Sequence, residues 1–411
     1  MKKRILIMLL LFALTLGLTS CLDFLPTGNP SGGGDGGGLS KDEVASLESI
    51  SLLGAKKNFA FGEEFSSDGI VVTATMSDGK KKLLGSGDYT VICEDYNPMK
   101  VGKYQVRVSV NGTNVSESYE VNLAPANKLK VLMIGNSFAD DTINYAHEIA
   151  KSAGIPEENI LIADVYIGGC PLDTHWLNIL NNYPAYRFGL EREGWFDGSS
   201  YTEWTMDEAI MYADWDYITL QQNSGNSGKP ETYRNLQKIM DYVLDLATDQ
   251  VNNPNANPNV KLVWHQTWAY TNGSTNSGFP AYNKNQMTMY NAIQSALQQC
   301  VLDKDFAAII PNGTAIQNAR TSFIGDNLTR DQYDHLSHDA GRYIAALSMV
   351  CTLTGRDPSS ITWKPTDSGF NYPMSDEMIT VCKESVVNAM QYPYQISQSA
   401  YPVGSVASQF E

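Results

Sequence analysis

The chain has 411 residues, a formal net charge of −16, and 43% hydrophobic against 18% charged residues. That apolar content supports a packed core, and the length allows about two to three domains. The acidic balance argues against a nucleic-acid partner, because neutralising phosphates requires clustered Lys and Arg.

Lys2, Lys3 and Arg4 precede an apolar run from Ile5 to Leu18, followed by Thr19, Ser20 and Cys21. A charged start, a short apolar centre and small residues before a break have the form of a secretory signal. The run is shorter than the ~20 residues a membrane span needs. "LTSC" resembles the bacterial lipobox, whose cysteine becomes the lipidated first residue of the mature chain. That resemblance implies a signal peptide over residues 1–20 and a lipid anchor on Cys21. It also implies an extracytoplasmic location on the bacterial cell envelope, at the outer membrane or the cell surface. An ordinary cleaved signal peptide is the alternative. "PTGNPSGGGDGGGLS" at residues 26–40 has no apolar residue before Leu39. Glycine-rich sequence of this kind is flexible, so residues 21–45 read as a tether.

Five cysteines follow Cys21: Cys93, Cys170, Cys300, Cys351 and Cys382. They form no C-x-x-C pair and no metal-like cluster. They read mostly as buried small hydrophobes, and Cys351 with Cys382 can bond in an oxidising compartment.

Residues 46–124 carry strand patterns. "IVVTATMSDGKKKLL" holds two runs around the turn sequence Ser77-Asp78-Gly79. "YTVICEDY" follows. "GKYQVRVSVNG" alternates Tyr104, Val106, Val108 and Val110 with Gln105, Arg107 and Ser109, and Asn111-Gly112 then signals a hairpin turn. Short strands at this spacing predict a β-sandwich. The pattern resembles bacterial immunoglobulin-like modules, which implies either a spacer or an adhesive, glycan-binding role.

From Lys128 to about residue 395 the pattern alternates. Strand-like runs occur at "KLKVLMIG", "NILIADVY", "WDYITLQQ", "VKLVWHQ" and "FAAIIP". Between them, "TINYAHEIAKSAG", "ETYRNLQKIMDYVLDLA" and "NQMTMYNAIQSALQQCV" have helical periodicity. "TINYAHEIAKSAG" reads as one helix with Ile143, Ala146, Ile149, Ala150 and Ala153 on its apolar face. Strand and helix in alternation predict a three-layer α/β/α domain on a parallel sheet. In such sheets the site lies at the carboxyl ends of the strands.

The strand ends therefore carry the functional reading. The first run ends in Gly135-Asn136-Ser137, which delivers a hydroxyl past the strand. The second is followed by Gly168-Gly169, the third by Gln221, Gln222, Asn223 and Ser224, the fourth by "HQTWAY". "LTRDQYDHLSHDAGRY" adds an Asp/His cluster. A serine, a histidine, an acid and fixed donors are the components of acyl transfer.

These blocks resemble the SGNH, or GDSL-like, hydrolases over about residues 128–355, and in particular an uncharacterised bacterial branch of that superfamily. The resemblance implies a flavodoxin-like α/β fold and a serine ester hydrolase needing no cofactor and no metal. It makes Ser137 the nucleophile, with Asn136 as a positioning group where the family usually has aspartate. Gly169 and Asn223 match the oxyanion positions, though the usual Gly-x-Asn-Asp is absent and Gln221 or Gln222 is an alternative. His335 matches the catalytic histidine. Gln332 stands where the acid is expected, which leaves Asp331 through a longer turn, Asp334, or a dyad without an acid. Asp331 is preferred.

Other residues have plainer readings. Ser337 looks like a helix cap and His338 solvent-facing, while His147 reads as structural. His175 and His265 sit at strand ends and are as apt to line the pocket as not. Trp264, Trp268 and Tyr270 are core residues or sugar-stacking surfaces. The expected function is hydrolysis of acyl (acetyl) esters on carbohydrate or of another small ester. The alternative is a non-catalytic glycan-binding or adhesion lipoprotein on a hydrolase fold.

Overall fold

The computed structural model describes residues 38–192, 195–197, 203–366 and 374–405. Cys21, the signal sequence and most of the glycine-rich tether lie outside the described residues. The tether reading ends earlier than residue 45, because α1 (Lys41–Ser46) is a helical turn closed by a capping box between Ser40 and Glu43.

The strand-rich part is a two-sheet sandwich. Its strands are β1 (Leu47–Leu53), β2 (Asn58–Ala60), β3 (Val71–Met76), β4 (Lys81–Leu83), β5 (Tyr89–Cys93), β6 (Gly102–Val110) and β7 (Ser116–Ala124). One sheet runs β1-β3-β4 and the other β2-β7-β6-β5. The alternation read in β6 is real: Val106, Val108 and Val110 are buried, Gln105 and Arg107 are exposed, and Ser109 is half-buried. The hairpin signal at Asn111-Gly112 joins β6 to β7, with Gly112 at φ +75.

The chain then enters the larger domain through β8 (Leu129–Gly135). β8 is apolar on both faces because it runs through the middle of the sheet. Leu129, Val131 and Met133 feed one core and Leu132 and Ile134 the other. β8 leads into α2 (Ser137–Ile143), α3 (Ala146–Ser152), β9 (Ile160–Tyr166), α4 (Leu172–Asn181) and the edge strands β10 (Arg187–Arg192) and β11 (Trp195–Asp197). Then come α5 (Met206–Ile210), β12 (Tyr217–Leu220), α6 (Leu236–Thr248), β13 (Lys261–His265), α7 (Gln286–Cys300), β14 (Ala308–Ile310), α8 (Asn312–Ala319), α9 (Ala340–Thr354) and α10 (Asp376–Gln391).

The sheet order is β11-β10-β9-β8-β12-β13-β14. The five strands read from the sequence are its parallel part, in the order second, first, third, fourth, fifth. That is the flavodoxin-like winding, and it reverses between β8 and β12. Helices cover both faces, so the domain has the three-layer α/β/α form expected. The antiparallel hairpin β10–β11 extends one edge and has no sequence signal of comparable strength.

The helix expected over "TINYAHEIAKSAG" is broken. Tyr145 takes a left-handed conformation (φ 78), which divides α2 from α3. The predicted apolar face survives the break, since Ile143, Ala146, Ile149 and Ala150 are all buried. Cys351 and Cys382 are buried, free thiols, and so are not bonded as the sequence allowed.

The two parts meet at the end of α9. Gly355 adopts φ +68, and a Cβ there would come within 2.5 Å of Phe61 and Val101. The Ala126 amide donates to the Thr354 carbonyl over 2.9 Å, and Glu64 pairs with Lys261 over 3.2 Å.

One buried acid gives this domain a pH signature. Glu191 on β10 accepts the His147 amide over 3.0 Å, and burial raises its carboxyl from 4.5 to about 8. A carboxyl raised in the folded state stabilises the fold fully below its unfolded value, and that stability is lost as pH rises toward the folded value. Relative to Glu191→Gln, the native protein should therefore lose stability between about pH 4.5 and pH 8. One proton sets a ceiling of about 1.4 kcal/mol per pH unit. Urea titrations across that range check this, and parallel pH profiles for the two proteins would refute it.

Candidate active site

β8 delivers Gly135 and Asn136 to the carboxyl edge of the sheet, beside the point where strand order reverses. Asn136, 2% exposed, is the N-cap of α2. Its Oδ1 accepts the Phe138 amide over 3.1 Å, so the cap is Asn136 and Ser137 is left with its hydroxyl unused. Ser137 makes no side-chain hydrogen bond to any described residue, His335 included.

Asn136 also knits the neighbouring strand ends. Its Nδ2 donates to the Cys170 carbonyl over 3.3 Å, and Gln221 Nε2 donates to its Oδ1 over 2.9 Å. Gln221 Oε1 in turn accepts from His265 Nδ1 over 2.7 Å, and Asn312 Nδ2 donates to His265 Nε2 over 3.0 Å. Burial drives His265 down to about 3, so it stays neutral with one fixed tautomer. Gln221 reaches Asn136 only because position 135 is glycine; a Cβ there would meet the Gln221 side chain at 2.8 Å.

The histidine arrives on a loop between two antiparallel partners, Thr329 and Leu336. Asp331 Oδ2 lies 2.7 Å from His335 Nδ1, and Asp331 Oδ1 accepts the Tyr333 amide over 2.9 Å. The acid stands four residues before the histidine, one more than the superfamily pattern. Asp334 takes up the extra residue with φ 60. Partial burial alone would raise the Asp331 carboxyl, but the bonds from His335 and the Tyr333 amide hold it below its usual range. Asp334 faces elsewhere: its oxygens accept from the Thr271 amide (2.8 Å) and Ser274 Oγ (2.6 Å). Burial pushes its carboxyl up.

The serine helix and the histidine loop are tied together by Asp141, which is fully buried. Its Oδ2 accepts the Leu336 amide over 2.7 Å. Its Oδ1 accepts from Arg330 Nη1 (3.0 Å), Arg342 Nε (2.9 Å) and Arg342 Nη2 (2.8 Å). Phe138 then lies edge-on to the His335 ring with centroids 6.4 Å apart.

Ser137, Gly169, Asn223 and His335 line one pocket of about 560 Å³. Gly169 has φ +62, a backbone shape for which glycine is suited. Asn223 Nδ2 donates to the Gly169 carbonyl over 3.0 Å, which leaves it one hydrogen to spare. The backbone amides of Ser137 and Gly169 donate to no described residue. Tyr166, Tyr270 and Tyr333 complete much of the wall, with Lys229.

Several expected residues stand outside this wall. Gln221 is 2% exposed and acts behind the pocket, holding Asn136. Gln222 fixes loops instead, accepting the Leu172 and Asn223 amides. Trp268 is not a sugar-stacking surface: it is fully buried, stacked on Phe138 at 3.8 Å, with Nε1 donating to the Asp334 carbonyl. Trp264 is likewise core. His175 and His265 are buried and do not line the pocket; burial lowers His175 to about 4. Ser337 is not the N-cap of α9, which is Asp339, but from two residues upstream its Oγ accepts the Gly341 amide over 3.1 Å.

Asp141, Arg330 and Arg342 went unseen in the sequence. One signal was present for Asp141. It is an acid set among the apolar residues Phe138, Ala139 and Ile143 of a short helix, where only a partnered charge is tolerated.

A winding that reverses beside a strand-end serine, with an Asp-paired histidine on the same pocket, defines the SGNH-like hydrolase fold class. Within it, residues 130–371 match the family model described as "Domain of unknown function (DUF4886)", and the chain belongs to that family. Residues 53–122 match the bacterial Ig-like domain, group 3. A crystal structure of a DUF4886 family protein from Bacteroides uniformis is 35% identical with a TM-score of 0.58, and the match covers 66% of this chain and 98% of that chain. A putative SGNH hydrolase from Slackia heliotrinireducens is 16% identical at a TM-score of 0.33, over 55% of this chain and 99% of that one. A gut microbial diltiazem-metabolizing enzyme is 12% identical at 0.34, over 56% and 48%. A search of curated proteins found no match.

Asp141→Ala should cost about 3–5 kcal/mol of stability in urea unfolding, because it leaves two arginines facing each other without their carboxylate. A loss below about 1 kcal/mol would show that Asp141 does not hold the helix to the loop.

Proposed function

We propose that the chain is a serine esterase of SGNH type, anchored through Cys21 to the bacterial envelope, that removes acyl groups from carbohydrates. The observation that carries this reading is one pocket that gathers an unbonded serine hydroxyl, an Asp-paired histidine and uncommitted amide donors. The glycine-rich stretch and the Ig-like module would then space the enzyme from the membrane. Hydroxyl and amide groups on the pocket wall, from Ser224, Asn226, Tyr270 and Asn276, suit a polyhydroxylated substrate.

The chemistry follows from the donors and acceptors. Asp331 holds the proton of His335 on Nδ1, so Nε2 is the free base. An ester carbonyl enters the pocket and Ser137 Oγ comes within about 3 Å of Nε2 for proton transfer. Oγ attacks the carbonyl carbon as its proton passes to Nε2. The charge that forms on the carbonyl oxygen is met by the Ser137 and Gly169 amides and by Asn223 Nδ2. Collapse breaks the bond to the alcohol, which leaves with the proton from His335, and the acyl group stays on Ser137. Water, deprotonated by His335, attacks the acyl carbon and releases the acid and the free serine.

A fluorophosphonate probe should label Ser137 covalently. Ser137→Ala should abolish labelling in a protein that still unfolds at the native urea midpoint. His335→Ala should slow it greatly, since the hydroxyl loses its base. Asp331→Ala should reduce ester turnover by up to about four orders of magnitude, as loss of an orienting acid does, and Asp334→Ala by far less. A folded native protein that resists the probe, or that is labelled at another serine, would overturn the proposal.

A further inference from the structure

We infer that Lys229 forms an anion subsite in the pocket, so that the ester is carried on an acidic sugar whose carboxylate meets the ammonium group. This deepens the esterase reading and rests on it for the position of the acyl group.

Among the described residues, Lys229 is the one that lines the pocket with a fixed charge, and none of the described lining residues is a carboxylate. Its Nζ lies 3.2 Å from Asn226 Oδ1 and 6.0 Å from the ring of Tyr282, and it forms no ion pair with any described residue. The arginines around the site are treated differently. Arg187 is paired with Asp140 and Asp164, Arg330 and Arg342 with Asp141, and Arg320 with Asp326. A protein of net charge −16 thus neutralises the neighbouring cations and leaves this one uncompensated on the pocket wall. A half-buried ammonium with one neutral acceptor keeps donors to spare, and a carboxylate is its strongest partner.

The loop that carries Lys229 is also built to hold it in place. Tyr282 Oη accepts the Gly228 amide and donates to the Gly225 carbonyl, both over 3.1 Å. Tyr233 Oη donates to the Ser227 carbonyl over 2.7 Å, and Thr232 Oγ1 to the Lys229 carbonyl over 2.7 Å. Gly228 cannot be larger, since a Cβ would meet Ala292 at 2.7 Å and Tyr282 at 2.8 Å. A fixed backbone lowers the entropy cost of aiming a long side chain.

The test compares the mono-O-acetyl esters of methyl glucuronide and methyl glucoside, which differ in one carboxylate. At low ionic strength the native kcat/KM ratio should favour the glucuronide on the order of tenfold, the range of a charge-assisted hydrogen bond. Lys229→Gln should bring the ratio to about one and Lys229→Glu should invert it. Lys238→Gln, on α6 and outside the pocket, should leave the ratio as in the native protein. Binding of plain methyl glucuronide and methyl glucoside to Ser137→Ala protein, by calorimetry, needs no turnover. A Lys229-dependent preference for the glucuronide there sustains the subsite even if neither ester is cleaved, in which case only the esterase reading fails. Equal handling of acidic and neutral probes by the native protein, or a preference that survives Lys229→Gln, overturns it.

Discussion

Asp141 sits one turn into the helix that begins at Ser137, and its two buried oxygens hold the loop that carries His335. The rest of the site depends on that contact. A strand end can present a serine by itself, but a histidine on a separate loop needs a reason to stay beside it. One oxygen takes the Leu336 amide, next in the chain to His335, and the other takes two guanidinium groups. Both arginines reach further into the loop: Arg330 also donates to the Leu336 carbonyl, and Arg342 Nη1 lies 3.2 Å from His338 Nδ1. The charge is buried at a cost that its four hydrogen bonds offset.

A second network sets the serine itself. Asn312, His265, Gln221 and Asn136 form a buried chain of amides and imidazole that ends at the Phe138 amide, one residue past Ser137. Burial keeps His265 neutral, so the direction of each hydrogen bond is fixed. The superfamily's usual aspartate would bring a charge to position 136. Asparagine there instead both accepts and donates, which is how it joins the loops after three strands.

The parallel strands were legible because each is an apolar run ending in polar or small residues, and the sheet order follows from winding rules. The edge hairpin was not, since "RFGLER" alternates charge and bulk without an apolar run. The break at Tyr145 was hidden because a bulky residue rarely takes positive φ. Ser137, Gly169 and His335, which line one pocket, were legible from strand-end position together with a family resemblance. Their supports were not, because they join residues remote in sequence: Asp141 and Leu336 are 195 residues apart. Trp268 shows the opposite error. An aromatic after a strand was read as a possible ligand surface, and it is core, stacked behind Phe138. Asp331 and Asp334 differ in sequence by little, and only the backbone turn at Asp334 separates their roles.

In the proposed reaction Ser137 carries the acyl group between two half-reactions. Acid-quenching the protein during turnover of an aryl acetate and analysing its peptides by mass spectrometry tests this directly. One acetyl group on the peptide containing Ser137, absent in Ser137→Ala protein, is the predicted result. Steady turnover of the ester with no acetylated serine at any quench time, and undiminished in Ser137→Ala, would contradict it.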